Sequence, residues 1–231
     1  GGYQKSFGQS VHLALQRILE LHRERLLLGQ ASLFEANQVL PVFGSGLRVS
    51  ESEALTALEG AWIDEWYETR ARHDEYLDKG REAVRALCRA YREKLPDVFE
   101  IEKDFTLVLG QHSIKGKIDR IDRLEDGSFM VVDYKTGTAK DTLQAEDKEQ
   151  LHLYQIALEE KGLKVTRLVY IYVLGWEMRE VEPLLTKARE AFVEKLETRM
   201  NEILQSDYAP TPESFTCRFC DFRHICEFRK L

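Results

Sequence analysis

The sequence predicts an α/β domain: a mixed central β-sheet flanked by helices, with extra helices ahead of it and a cysteine-rich tail behind. Three observations carry that expectation. Apolar residues at helical spacing fill most of the first 95 positions. Three strand-like runs joined by short turns then occupy 98–136. A helix, two more strands and a long helix follow, and strands interleaved with helices pack in layers. The expectation is one domain over 1–231, with a helical part (1–97), a sheet-bearing core (98–205) and a tail (206–231).

Each element has a local reason. Over 9–28, Val11, Leu13, Leu15, Ile18, Leu19 and Leu21 supply one apolar side of a helix. Residues 31–45 are mixed and are broken by Pro41, Gly44 and the adjacent Gly46. Helices are expected over 51–76 and 79–95, the latter ending before Pro96, which disfavours helix in the residue before it. The strand-like runs are 98–109, 112–124 and 128–136; Gly110 separates the first pair and Glu125–Asp126–Gly127 turns the second into the third. A polar loop (138–147) precedes a helix (147–161), strands (166–175 and 177–183) and a helix (185–205).

Bulk properties narrow the class. No apolar run approaches the roughly 18 residues of a membrane helix. The start, GGYQKSFGQSVH, lacks the apolar segment of a signal peptide, so a cytoplasmic protein is expected. The net charge of −7 argues mildly against nucleic acid, but it is a global sum, and residues 217–231 are locally net +2.

The stretch FMVVDYKTG (129–137) raises a chemical question. Strand side chains alternate, so Val131, Asp133 and Lys135 share one face while Met130, Val132 and Tyr134 share the other. The preceding strand carries Asp119 within GKIDR, and the short turn makes the two strands adjacent and antiparallel. Close carboxylates repel unless a cation or a shared proton relieves them, and a divalent cation with oxygen ligands is the natural relief. A neighbouring lysine is suited to stabilising charge that builds up during attack on a phosphodiester. The plainer reading is a structural ion pair between Asp119 and Lys135, with Asp133 capping a turn.

The segments GKIDRID and VVDYKTG together resemble the RecB-type branch of the PD-(D/E)XK nuclease superfamily. Two further segments agree in the family's order: FGQSVHLAL, with Gly8 and His12, and QLHLY, with Gln150 and Tyr154 on one helix face. The resemblance spans about residues 6–160 and implies a restriction-endonuclease-like core. It implies that His12, Asp119 and Asp133, with the main-chain carbonyl of Tyr134, ligate Mg²⁺ or Mn²⁺. It also implies that Lys135 is the catalytic lysine and that Gln150 and Tyr154 position it or the scissile phosphate. Glu100 is a candidate extra carboxylate, although an exposed edge-strand role suits it better. Alternation puts Arg120 on the face opposite Asp119, which favours a structural role.

The tail reads CRFCDFRHIC. Three thiols at this spacing, Cys217, Cys220 and Cys226, read as a metal site rather than as disulfides. Many RecB-type nucleases hold a [4Fe–4S] cluster this way, and the resemblance places their fourth cysteine upstream of the Gly–His helix. No cysteine precedes residue 8 here, and Cys88 falls in step with Val84, Leu87, Tyr91 and Leu95 as a core thiol. Zinc with His224 as a fourth ligand, and no metal at all, are the other readings. Phe215, Phe219, Phe222 and Phe228 are expected to be buried, with a DNA-facing platform as the other reading.

The expected function is therefore that of a Mg²⁺- or Mn²⁺-dependent deoxyribonuclease acting on single-stranded DNA or DNA ends. The resemblance points to the nuclease module of a DNA-repair helicase–nuclease, with a helicase domain or subunit as its partner, or to a stand-alone exonuclease of the same type. The alternative is a nuclease fold that has lost its activity and only binds DNA or a partner. A dimeric, sequence-specific restriction enzyme shares the chemistry, but the long N-terminal helices and cysteine tail argue against it.

Overall fold

The structure, a computed structural model, describes residues 2–35 and 46–230, with side chains described over 2–28 and 46–230. The breaks expected at Pro41 and Gly44 lie outside the described residues. Three helices come first: α1 (Tyr3–Glu35), α2 (Glu51–Ala61) and α3 (Arg70–Ala90). Then follow β1 (Asp97–Leu109), β2 (His112–Arg123), β3 (Phe129–Lys135), α4 (Ala145–Glu159), β4 (Val165–Tyr172), β5 (Glu177–Val181), α5 (Thr186–Gln205) and α6 (Ser214–Phe219).

The second and third helices differ from the sequence expectation. The expected helix over 51–76 ends at Ala61, and the next begins at Arg70. Ser50 and Glu53 form a reciprocal capping box at the start of α2, and the Thr69 side chain accepts from the Arg72 amide at the start of α3. The break between them is held by aromatic contacts. Trp62 leaves the helix in an extended conformation, stacks on Tyr67 with a 13° interplanar angle, and donates through Nε1 to His73 Nε2 at 3.1 Å. Gly80 sits inside α3, where an added Cβ would lie 3.1 Å from the Trp62 ring. Close packing, rather than helix termination, explains it.

The five strands lie in the order β1-β2-β3-β4-β5. All neighbours are antiparallel except β3 and β4, which are parallel and joined through α4. That makes the sheet mixed, as the sequence predicts. Alternation on β3 divides the core as expected: Met130, Val132 and Tyr134 join α1, α2 and α3 on one side. Val131 joins Leu151, Ile156 and Phe192 of α4 and α5 on the other. Truncating one of the fully buried side chains, such as Ile18 or Leu151, would cost about 2–5 kcal/mol.

The β1–β2 hairpin breaks the simple alternation. Ile101 packs with the helical-side core and Phe105 with the α4-side core, although both are odd-numbered. The strand changes sides at Glu102, whose φ of 49° is in the left-handed region that side-chain-bearing residues rarely adopt.

Candidate active site

The site forms where β2 and β3 run out of regular pairing. The last paired residues are Arg120 and Val132, so the next positions in that register, Asp119 and Asp133, face each other. Asp119 stays tied to β3 by its carboxylate, whose Oδ2 accepts from the Tyr134 amide at 2.7 Å. Gly116 of the same strand lies opposite Phe105, and an added Cβ would sit 2.8 Å from its ring. The aromatic ring thus takes the space a side chain would need.

α1 closes the site from the helical layer. Gly8 comes near the end of β3, where an added Cβ would be 3.5 Å from Thr136 Oγ1, an ordinary contact. His12, one turn later on the same face, brings Nδ1 to 3.5 Å from Asp119 Oδ1. Burial opposes charging of this imidazole, but the Asp119 contact and the charges of Asp119, Asp133 and Glu102 outweigh it and raise its pKa.

Glu102 is the residue that sequence reasoning missed. Ligand atoms of His12, Glu102 and Asp119 all lie within 4.8 Å of one another, a spacing that fits one cation with nitrogen and oxygen donors. The signal was present: pairing of Leu109 with His112 across the two-residue turn fixes the hairpin register and sets Glu102 opposite Asp119. Burial, then repulsion from Asp119, push the Glu102 carboxyl up against the pull of Lys117 and His12. Glu100, the carboxylate the sequence offered instead, pairs with Lys103 at 2.8 Å.

Asp133 sits beside this trio rather than within it. Its Oδ2 lies 2.7 Å from Lys135 Nζ, and the carboxylate is almost fully buried. Burial and repulsion from Asp119 push its pKa up to about 6, against the opposing pull of Lys135 and His12. One buried carboxyl, Asp133, and two half-buried ones, Glu102 and Asp119, crowd together beside His12, and a divalent cation would relieve their repulsion.

Lys135 is held on three sides. Besides Asp133, its ammonium donates to Gln150 Oε1 at 2.7 Å and lies 4.8 Å from the centre of the Tyr170 ring. Gln150 passes the contact on, donating through Nε2 to the Tyr154 hydroxyl at 2.7 Å. Burial and the nearby Asp133 charge raise the Tyr154 pKa, so that hydroxyl keeps its proton. The helix that carries Gln150 and Tyr154 is therefore aimed at the lysine, and both residues reach it or its neighbour. Tyr170 is a second residue the sequence did not single out.

The sequence profile of the PD-(D/E)XK nuclease superfamily matches residues 2–227. The chain belongs to this superfamily. Among solved structures, the protein SSO0001 is 22% identical over 78% of this chain and 79% of its own, with a TM-score of 0.41. A protein from Eubacterium rectale, named as an exonuclease candidate, is 16% identical over 78% of this chain and 83% of its own, with a TM-score of 0.46. VC1899 from Vibrio cholerae is 12% identical over 87% of this chain and 57% of its own, with a TM-score of 0.28. No curated protein matches the chain.

The tail differs from expectation. Phe215, Phe219, Phe222 and Phe228 are between 51% and 78% exposed, and Ile225 is 82% exposed. A short helix of six residues and a run of turns leave these rings exposed, although Phe215 and Phe219 meet edge to face with centroids 5.3 Å apart. The three tail thiols do not gather within 4.8 Å of one another, and Cys217 Sγ accepts from the Lys230 amide at 3.4 Å. Cys88 lies on α3, packed against the helical-side core, where burial raises its pKa. A four-thiolate cage is therefore not assembled by the described residues. No helix among them is long and apolar enough to cross a membrane.

Proposed function

We propose that this chain is a Mg²⁺- or Mn²⁺-dependent deoxyribonuclease of the RecB type. It would cut single-stranded DNA or DNA ends exonucleolytically, as the nuclease part of a cytoplasmic helicase–nuclease for DNA repair. The single observation that carries the nuclease chemistry is the convergence of His12, Glu102, Asp119 and Asp133 beside Lys135 at the open end of the β2–β3 pair. The superfamily profile over nearly the whole chain supports the same reading.

His12, Glu102 and Asp119 would hold the cation, with Asp133 and the Tyr134 carbonyl on its β3 side. When bound, a divalent cation supplies charge neutralisation at the phosphate and acidifies a water. The protein's own contribution is positional. Lys135, fixed between Asp133 and Gln150, presents an ammonium beside the carboxylates, where it can orient the attacking water and donate to charge developing on the phosphate. Gln150 can accept from Lys135 and donate to Tyr154 at once, which fixes the lysine's direction. The polarised arrangement argues against an inactive binding module, which would have no use for a lysine held this way. A soft metal at Cys217, Cys220 and Cys226 belongs to the same proposal, supported by the cysteine spacing, and visible absorption of anaerobically purified protein tests it.

The direct test is digestion of end-labelled single-stranded and duplex DNA with Mg²⁺, Mn²⁺ or EDTA. Cleavage by wild type with metal, none with EDTA, and a loss of at least about 10³-fold in Asp133→Ala are expected. Cleavage that persists in EDTA, or an Asp133→Ala variant as active as wild type, would refute the proposal.

A further inference from the structure

The reverse side of the site contains a buried charge cluster that the chemistry above leaves unexplained. Arg120 and Asp122 are both wholly buried, on the helical side of β2. Arg120 Nη2 lies 3.0 Å from Asp122 Oδ2 and donates to the Tyr91 hydroxyl at 2.9 Å, while Nη1 donates to the Tyr134 hydroxyl at 2.5 Å. Among the described residues no group hydrogen-bonds Arg120 Nε or Asp122 Oδ1. Buried ion pairs contribute little net stability even when fully satisfied, and apolar replacements of similar volume are often neutral or stabilising. An incompletely satisfied pair is therefore a poor stabilising device.

Its position suggests another use. Regular β2–β3 pairing ends at Arg120 and Val132, immediately before the metal-site residues. Beyond that point two bonds hold the strands together, one on each face. On the front, Asp119 Oδ2 accepts from the Tyr134 amide; on the back, Arg120 holds the hydroxyl of the same Tyr134. Tyr91, at the C-terminal end of α3, anchors the guanidinium to the helical layer. Tyr134 lies between Asp133 and Lys135, so fixing its ring and its peptide fixes the direction of both neighbours.

The geometry points to Arg120 as a positioning residue that, through Tyr134, sets the spacing of Asp119 and Asp133 for the cation. This inference rests on reading the site as a metal centre. Residues behind the ligands of a metal site typically change affinity or activity by about 10- to 100-fold when altered.

The test separates positioning from support. Wild type, the Arg120→Met/Asp122→Leu double variant and Tyr134→Phe are compared by Mn²⁺ titration calorimetry without DNA and by thermal denaturation in EDTA. The double variant removes both charges together, so neither is left alone in the core. It is expected to unfold at or above the wild-type temperature yet bind Mn²⁺ about 10- to 100-fold more weakly. Tyr134→Phe, which loses only a hydroxyl, is expected to weaken Mn²⁺ binding in the same direction by a smaller factor, and it carries the test if the double variant does not fold. Folded variants whose Mn²⁺ affinity stays within about twofold of wild type would overturn the inference while leaving the metal-site reading intact. A wild-type chain that takes up no Mn²⁺ would overturn both.

Discussion

The two faces of one strand pair treat buried charge in opposite ways. Behind the sheet, Arg120 and Asp122 are sealed from solvent and paired with each other, with two tyrosine hydroxyls around the guanidinium. In front, Asp119 and Asp133 face each other with Glu102 nearby, and the basic groups around them are the half-buried His12, Lys135 beside Asp133 and the half-exposed Lys117, 3.5 Å from Glu102. Both faces come from the same alternating run, and two strands carry both. The back pairs opposite charges, whereas the front crowds three carboxyls against one another, a repulsion whose natural relief is a bound cation. Repulsion between like charges, concentrated on the front, marks the site more sharply than any single residue does.

Asp133→Asn breaks that contrast most strongly. In the metal-free protein the Asp133 carboxyl, pushed up to about 6, is less acidic than in the unfolded chain. A raised carboxyl pKa leaves its stability contribution intact below the unfolded value near 4; that contribution is lost as pH rises through about 6. Above that range the charged carboxylate costs the fold on the order of 3 kcal/mol. Urea denaturation in EDTA at pH 7.5 should therefore find Asp133→Asn more stable than wild type by about 2–3 kcal/mol, the gap closing below pH 5. With Mn²⁺ the order should reverse, because only wild type gains from binding. An Asn variant less stable than wild type in EDTA would mean that the front is as well compensated as the back.

Glu102→Gln sharpens the contrast from the other side. It removes one negative charge from the trio and preserves the size of the side chain. Mn²⁺ affinity is expected to fall about 10-fold or more, with duplex and single-stranded DNA affected alike. An unchanged affinity would show that Glu102 faces His12 and Asp119 without sharing their ion. Its left-handed backbone would persist in either case, because the hairpin changes sides of the sheet there.

Most of the front was legible from the residues. Asp119, Asp133 and Lys135 could be placed because strand alternation has a fixed period and the turn at 125–127 is short. Gln150 and Tyr154 came from the resemblance to the RecB-type nucleases, and helical spacing put them on one face. Glu102 was also within reach through the Gly110–Gln111 turn, but its neighbour Glu100 appears equivalent until the hairpin is registered residue by residue. The α2–α3 break was hidden for a different reason. Aromatic stacking of Trp62 on Tyr67 decides it, and such contacts leave no periodic trace. The back-face cluster was half legible: alternation put Arg120 away from Asp119, but only the packed structure reveals its bond to Tyr134.

The smallest effect is expected where sequence reasoning placed a core and the structure shows none. Phe7, on α1, is 3% exposed and makes edge contacts with Trp62 and Tyr76, whereas Phe219 is 66% exposed and touches Phe215. Phe7→Ala should cost about 3–5 kcal/mol in urea denaturation. Phe219→Ser should change stability by less than about 0.5 kcal/mol, because an exposed ring gives up little when it is removed. A loss of 2 kcal/mol or more at Phe219 would show that the tail buries its aromatics in solution after all. The metal-binding reading of Cys217, Cys220 and Cys226 would then gain support, since a closed tail needs something to hold its short turns together.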